Sequence, residues 1–160
     1  MNTYISLGTN LGNRQKNLKT AILEIASKLG KVVKQSSVYE TKPWGKHNQP
    51  DFLNQVILVH SDKTPQDGLY ILSAIEKNMG RRRIKKWDAR IIDLDLLYVN
   101  DLVINSETLI LPHPEIPRRR FVLVPLTEID PDFIHPQLQK SQKQLLNECT
   151  DPLDVVPLET

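Results

Sequence analysis

The chain has 160 residues, of which 39% are hydrophobic and 25% are charged, and its formal net charge is +2. Length and composition indicate one soluble globular domain spanning 1–160, and so small a charge gives no reason to expect a nucleic-acid or membrane partner. The single cysteine, Cys149, excludes an internal disulfide. No signal-peptide pattern and no apolar run of about 20 residues is present, so we expect a cytoplasmic protein.

The first half of the chain predicts three strands and two helices. Residues 3–8 are rich in β-formers, and apolar side chains then recur at helical spacing from Leu18 to Leu29, before Gly30. Residues 31–41 and 51–61 predict two strands, separated by a loop with two prolines and a glycine. Thr64 followed by Pro65 is typical of a helix start, and the apolar pattern carries that helix to residue 80.

The second half predicts one strand and two helices. A basic, irregular linker over 80–90 leads to a strand at 91–99, followed by a helix at 118–129 with a distortion at Pro125 and a weaker helix at 140–150. The proline-spaced tail is expected to be loose. The order β-α-β-β-α-β predicts an α+β fold with a ferredoxin-like βαββαβ core. Its sheet should be mainly antiparallel, with helices on both faces.

Two aspartates stand in the segment IIDLDLLYV, which otherwise reads as a buried strand. Asp93 and Asp95 are two residues apart, so their side chains share a face at a Cα spacing of about 7 Å. Two such carboxylates can converge on the paired divalent cations that serve phosphoryl transfer, and magnesium suits them best. The plain alternative is a solvent-facing strand whose polar residues happen to be acidic. The opposite face is predicted to be wholly apolar: Ile92, Leu94, Leu96 and Tyr98.

The segment just before this strand is strongly basic. Residues 81–90 carry six cations and one acid, Asp88. Arginine and lysine there can bind phosphate oxygens, although a solvated charge run or a nucleic-acid patch with a base stacked on Trp87 would look similar. A second basic group at 118–120 follows His113. Two separate clusters around one acidic pair favour a compact polyphosphate over a long polymer.

Aromatic and amide residues add a possible site for a flat heteroaromatic molecule. Trp44 and Phe52 lie close in sequence, Asn54 follows, and Trp87 and Phe121 come later. Rings can stack such a molecule while amides contact its edge, although Phe52 or Phe121 taken singly is more typical of a core residue. The segment GTNLGN could approach a phosphate, but it matches neither the Walker A nor the dinucleotide-binding glycine pattern.

Four segments in order resemble one family. YISLGTNLGNR, SSVYETKPWGKHNQPDFLNQV, WDARIIDLDLLYV and LILPHPEIPRRRFVLVPLTEI are similar to 6-hydroxymethyl-7,8-dihydropterin pyrophosphokinases. The resemblance covers residues 3–136. It implies transfer of pyrophosphate from ATP to the pterin alcohol in folate biosynthesis, by a monomer that binds small molecules, with ATP as co-substrate and two Mg²⁺ ions.

The resemblance also implies roles for individual residues. Asp93 and Asp95 match the metal ligands, and the catalytic arginines match Arg81, Arg83 and Arg90. The pterin-binding positions match Thr41, Lys42, Trp44, Phe52, Asn54, Trp87 and Phe121. The ATP-binding positions match Glu76, Arg83, Trp87, Arg90, Ile91, His113 and Arg119.

Two other functions stay open on the sequence. A two-metal nucleotidyltransferase also uses paired aspartates but usually needs a third acid, for which Asp51, Asp101 and Glu76 are the candidates. A nucleic-acid-binding module would use the basic segment but leaves the paired aspartates unexplained, because they would repel the phosphate backbone.

Overall fold

The computed structural model describes residues 1–43, 49–80 and 90–158. Within these ranges, short turns and capped helices connect the strands of one main sheet. Asn13, Thr64 and Ser141 cap α1, α2 and α4, because each side chain accepts a hydrogen bond from a main-chain N–H of the first turn. The elements in chain order are β1 (Asn2–Thr9), α1 (Arg14–Lys28), β2 (Lys31–Gln35), β3 (Tyr39–Thr41), β4 (Phe52–His60), α2 (Pro65–Asn78), β5 (Asp93–Val99), β6 (Ile104–Asn105), β7 (Ile110–Leu111), a 3₁₀ turn (Ile116–Arg118), α3 (Arg120–Ile129), α4 (Gln142–Glu148) and β8 (Val155–Pro157).

The main sheet has the order β5-β1-β4-β3-β8, and β2 pairs with β4 beside β3. Every pairing in it is antiparallel. β1 and β4 are the central strands, and each is joined through a helix to a strand that lies beyond its neighbour. This is the ferredoxin-like arrangement, so the α+β prediction is confirmed.

Helices cover both faces of the sheet, as predicted. One core packs α1 and α2 against the sheet through residues such as Leu18, Ile25 and Ile75. The other core, the α3 core, packs α3 and α4 against the opposite face through residues such as Leu123 and Leu145. Among the described residues, no helix is both long enough and apolar enough to cross a membrane.

The predicted strand 31–41 is two strands, because Ser36 interrupts it. The Ser36 hydroxyl accepts the Val56 N–H at 2.9 Å, and the Ser36 N–H donates to the Val56 carbonyl at 2.9 Å. A side chain thus takes the place of one main-chain bond of the ladder, and the chain bends there. Hydrophobic patterning carries no sign of this substitution.

Three further expectations need correction. The tail is not loose throughout, because its residues Val155–Pro157 form β8, which pairs with β3 at the edge of the sheet. The predicted helix 118–129 begins two residues later, after a 3₁₀ turn at Pro117. It contains Pro125, whose nitrogen cannot donate the usual helical hydrogen bond. Tyr98 packs with the α3 core rather than with Leu94 and Leu96, because the β1–β5 pairing shifts register at Tyr4.

Candidate active site

One row of three residues across the central strands organises the candidate site. Gly8 of β1 is paired with Asn54 of β4 on one side and with Asp93 of β5 on the other. Two residues along β1, the next pair on the same face is Ser6 with Asp95. Directly paired residues share a face of the sheet, so the amide and both carboxylates lie on one face. It is the α3 face, because Val56, two residues after Asn54, packs in the α3 core.

Because Gly8 has no side chain, the surface of the sheet between Asn54 and Asp93 is open. A Cβ atom on Gly8 would lie 3.3 Å from the Asn54 Oδ1 atom and 3.8 Å from the Phe52 Cδ1 atom. The first distance is tighter than ordinary van der Waals contact. A side chain at Gly8 would therefore displace the Asn54 amide.

On the β4 side, neutral groups hold one another in place. Thr41 is paired with Phe52, and its hydroxyl accepts a hydrogen bond from the Asn54 Nδ2 atom at 2.7 Å. Thr41 and Asn54 are both buried, whereas Phe52 is half-buried. This bond fixes the orientation of the amide, so its Oδ1 atom points to the space above Gly8. Lys42 is next to Thr41 in the chain and is exposed.

Phe121 lies in the first turn of α3, half-buried against the α3 core. The guanidinium of Arg119 is 5.6 Å from the centre of its ring, a cation–π distance. The structure therefore brings Phe121 to the same face of the sheet as Phe52. Stacking of a ligand between the two rings stays a prediction.

On the β5 side, an ion pair takes the place of neutral bonds. The Arg90 Nη1 atom lies 3.1 Å from the Asp93 Oδ2 atom, and the two side chains are 15% and 28% exposed. Ile91 is half-buried just before the strand. Arg90, which is predicted to bind phosphate, thus contacts the predicted metal ligand Asp93 directly.

Glu76 has a supporting position. Its Oε2 atom accepts the Leu94 main-chain N–H at 2.8 Å, and its side chain is buried. β5 is an edge strand, so this N–H would otherwise lack a partner from the sheet. Glu76 therefore fixes the backbone between the two aspartates, whereas its predicted contact with ATP stays a prediction.

His113 lies near both Asp93 and Arg119, because both charges act on its ring. The His113 main-chain N–H donates to the Leu97 carbonyl at 2.9 Å, and the Nδ1 atom of its ring accepts the Glu115 main-chain N–H at 3.1 Å. In the neutral ring the proton is then on Nε2. Burial and the nearby Arg119 charge lower the pKa of His113, while Glu115 and Asp93 act against that shift.

The donor set fits magnesium better than a metal held by protein alone. Over 1–43, 49–80 and 90–158, no group of three or more histidine, cysteine or acidic side chains is placed to hold a metal ion. Two carboxylates completed by phosphate oxygens and water are the usual magnesium environment. The third acid that a two-metal nucleotidyltransferase needs does not join the pair within these ranges, so that alternative is not favoured.

Some predicted residues lie outside the described ranges. These are Trp44, Arg81, Arg83 and Trp87, together with Asp88. Conversely, sequence reasoning gave no site role to Gly8 or to Asn10. Both belong to GTNLGN, whose small and amide residues at a strand end were a weak signal.

The chain is similar to proteins of one family by sequence. The model of that family, described as 7,8-dihydro-6-hydroxymethylpterin-pyrophosphokinase (HPPK), matches residues 4–131. A relative from Aquifex aeolicus named 2-amino-4-hydroxy-6-hydroxymethyldihydropteridine pyrophosphokinase is 40% identical over 92% of this chain and 91% of its own length. The folic acid synthesis protein fol1 of Pneumocystis carinii is 45% identical over 83% of this chain, which spans only 18% of that longer protein.

Solved structures show the same fold. The wild-type HPPK-DHPS of Plasmodium falciparum aligns with a TM-score of 0.75 at 18% identity, over 92% of this chain and 44% of that one. The resemblance found in the sequence is confirmed. By its family model and its relatives, the chain belongs to the 7,8-dihydro-6-hydroxymethylpterin-pyrophosphokinase family.

Proposed function

We propose that this pyrophosphokinase binds the pterin at the Asn54 end of the Asn54–Gly8–Asp93 row and the ATP phosphates at the Asp93 end. It transfers pyrophosphate from ATP to 6-hydroxymethyl-7,8-dihydropterin, and AMP and the pterin diphosphate are the products. The row is the observation that carries this proposal. Neighbouring strands are about 4.8 Å apart, so the amide and the carboxylate are separated by roughly two strand spacings, the dimension of a small bicyclic molecule.

The pterin is held by neutral contacts. Asn54 and Thr41 contact the edge of the ring, since amide and hydroxyl groups match its donors and acceptors. Phe52 and Phe121 stack on its two faces. The remaining pterin contacts that we propose come from Lys42, Trp44 and Trp87.

The phosphates are held by charge. Asp93 and Asp95 would hold two Mg²⁺ ions, which when bound neutralise phosphate charge and polarise the reacting oxygens. Arg90 contacts Asp93, and His113 lies near both Asp93 and Arg119. In our proposal all three basic residues contact the phosphate oxygens. His113 does so as a neutral donor through Nε2. We propose further nucleotide contacts from Glu76, Arg81, Arg83, Trp87 and Ile91.

The reaction is an in-line substitution at the β-phosphorus. The hydroxymethyl oxygen of the pterin forms the new bond to that phosphorus. The bond that breaks is the one between the β-phosphorus and the oxygen that bridges it to the α-phosphorus. AMP leaves with that bridging oxygen, and the hydroxyl proton passes to water. Catalysis consists mainly of positioning and charge neutralisation, as in other phosphoryl transfers.

Product analysis tests this function. The protein is incubated with Mg²⁺, ATP and 6-hydroxymethyl-7,8-dihydropterin, and the nucleotides and pterins are separated and identified. We expect AMP and the pterin diphosphate in equal amounts, and neither without the pterin. ADP or free pyrophosphate as the main nucleotide-derived product would contradict the proposal. The monomeric state and the cytoplasmic location stay predictions, the first of which light scattering on the purified protein would test.

A further inference from the structure

Asn10 is a buried polar residue to which the proposed reaction gives no role. It follows β1 directly, in the turn before α1, and only 1% of the residue's surface is exposed. A buried amide needs hydrogen-bond partners, and the identity of those partners shows what the residue holds together.

The Asn10 side chain bonds to both halves of the site, the pterin half around Phe52 and Asn54 and the nucleotide half around Arg90 and Asp93. Its Nδ2 atom donates to the Pro50 carbonyl at 3.1 Å and to the Gln49 Oε1 atom at 3.2 Å. Its Oδ1 atom accepts the Arg90 main-chain N–H at 2.7 Å. Its own main-chain N–H donates to the Arg90 carbonyl at 2.9 Å. Pro50 comes two residues before Phe52, and Arg90 carries the guanidinium paired with Asp93.

Two neighbouring residues each bond to one half only. The Arg14 Nη1 atom donates to the Asp51 carbonyl at 2.9 Å, next to Phe52. The Asn17 Nδ2 atom donates to the Ile91 carbonyl at 3.2 Å, next to Arg90. Among the described side chains of this turn and of the first turn of α1, only Asn10 bonds to both halves.

We propose that Asn10 is a positioning residue that couples pterin binding to nucleotide binding. The inference rests on the proposed function of the two halves. The amide group of Asn10 is planar and rigid, so a shift of the Arg90 backbone when phosphate binds its guanidinium is transmitted to Pro50. Each ligand then favours the arrangement that the other one needs, and the coupling is the same in both directions.

The test measures the coupling itself. The dissociation constant of 6-hydroxymethylpterin is measured by its fluorescence, with and without saturating α,β-methylene-ATP and Mg²⁺. The ratio of the two constants is the coupling factor. For Asn10→Ala, which removes the bonds to both halves, we expect the factor to fall about tenfold towards one. The reverse titration, nucleotide analogue with and without the pterin, should give the same loss.

Two variants of the neighbouring residues are matched controls. Arg14→Gln should weaken pterin binding and Asn17→Ala should weaken nucleotide binding, because each loses an anchor in one half. Neither should change the coupling factor by more than about twofold. A purely structural role for the turn would give the same loss of coupling in all three variants, and that result would overturn the proposal.

A second variant separates the two ends of the Asn10 amide. Asn10→Asp keeps the Oδ1 acceptor for the Arg90 N–H and loses the donor to Pro50 and Gln49. It should retain nucleotide affinity and lose coupling, and it decides the question if Asn10→Ala does not fold. Wild-type coupling in a folded Asn10→Asp would overturn this inference alone. Wild-type protein that binds neither ligand, or forms no AMP, would overturn the proposed function as well.

Discussion

The two ends of the candidate site are built from different interactions. At the β4 end, Asn54 and Thr41 bond to each other while buried, so the end predicted to bind pterin is already arranged. At the β5 end, Asp93 is paired with Arg90 and more than a quarter of its side chain is exposed. Neutral bonds between buried groups depend little on salt, whereas a partly exposed ion pair is weakened by it.

On the proposed function, this difference follows from the chemistry of the two ligands. A neutral bicyclic ring needs a fixed pattern of donors and acceptors, which a rigid pair of side chains supplies best. A polyphosphate carries a charge that must be balanced by cations that arrive with it. If the proposed function is correct, the β5 end exchanges the Arg90 contact for metal and phosphate. We expect variants at the two ends to differ in which binding constant they change, and in how strongly.

The largest effect is expected from Asp95→Ala. Removing one of two proposed metal ligands should lower kcat by about a thousandfold or more, because metal-bound charge stabilisation is worth several kcal/mol. Asp101→Ala is the control, since Asp101 is an exposed aspartate just beyond the other end of β5. Steady-state kinetics and thermal unfolding of both variants check this. Asp95→Ala with near-normal turnover would remove the carboxylate pair from the mechanism.

A smaller effect, confined to the β4 end, is expected from Gly8→Ala. The added methyl group would lie 3.3 Å from the Asn54 Oδ1 atom and shift the amide. We expect the KM for the pterin to rise about tenfold, the cost of one disturbed hydrogen bond, with the KM for ATP unchanged. Gly68→Ala is the control, because a Cβ there meets only side-chain atoms at 3.8 and 3.9 Å. Equal changes in both KM values would contradict the assignment of Gly8 to the pterin end.

Thr41→Val tests the neutral bond itself. The substitution keeps the shape of the side chain but leaves the buried Asn54 Nδ2 atom without its acceptor, which costs about 1–3 kcal/mol of unfolding free energy. Pterin affinity should fall as well. Thr127→Val is a matched control, since the buried Thr127 hydroxyl has no hydrogen-bond partner in the described structure. Urea unfolding of both variants would show no difference if the Asn54–Thr41 bond contributed nothing.

Sequence reasoning predicted the two ends of the site unequally. The aspartates were evident because carboxylates two residues apart in an apolar strand require an explanation. The alternation that placed them on one face is a local rule, and it is confirmed. The Asn54–Gly8–Asp93 row depends on pairing between strands that are far apart in the chain, and no local pattern encodes such pairing.

The same limit explains the other errors. Ser36 bends the chain through a side-chain bond to Val56, and Tyr98 changes face at a register shift. β8 forms because an edge strand offered free main-chain groups, not because its own residues alternate. Asn10 escaped notice since its partners, Pro50 and Arg90, are 40 and 80 residues away. Helices, by contrast, were predicted from local spacing and caps and were largely correct.

The smallest effect is expected from pH, and it separates the two ends in the absence of ligands. The lowered pKa of His113 means that the unfolded chain binds more protons than the folded one at mildly acidic pH. The stability that neutral His113 contributes is therefore present above pH about 6.5, the unfolded value, and is lost as the pH falls below it. Urea unfolding at pH 7.5 and 5.5, with a chelator present, should show this loss in the wild type.

Two variants assign the pH effect to the β5 end. His113→Asn keeps an acceptor for the Glu115 N–H but cannot titrate, so its stability should depend less on pH than that of the wild type. Thr41→Val should be destabilised by the same amount at both pH values, because no ionisable group takes part in its bond to Asn54. His135, whose buried ring also has a lowered pKa, contributes the same background to every variant compared. A pH dependence that His113→Asn leaves unchanged, or that Thr41→Val alters, would contradict the division into a neutral end and a charged end.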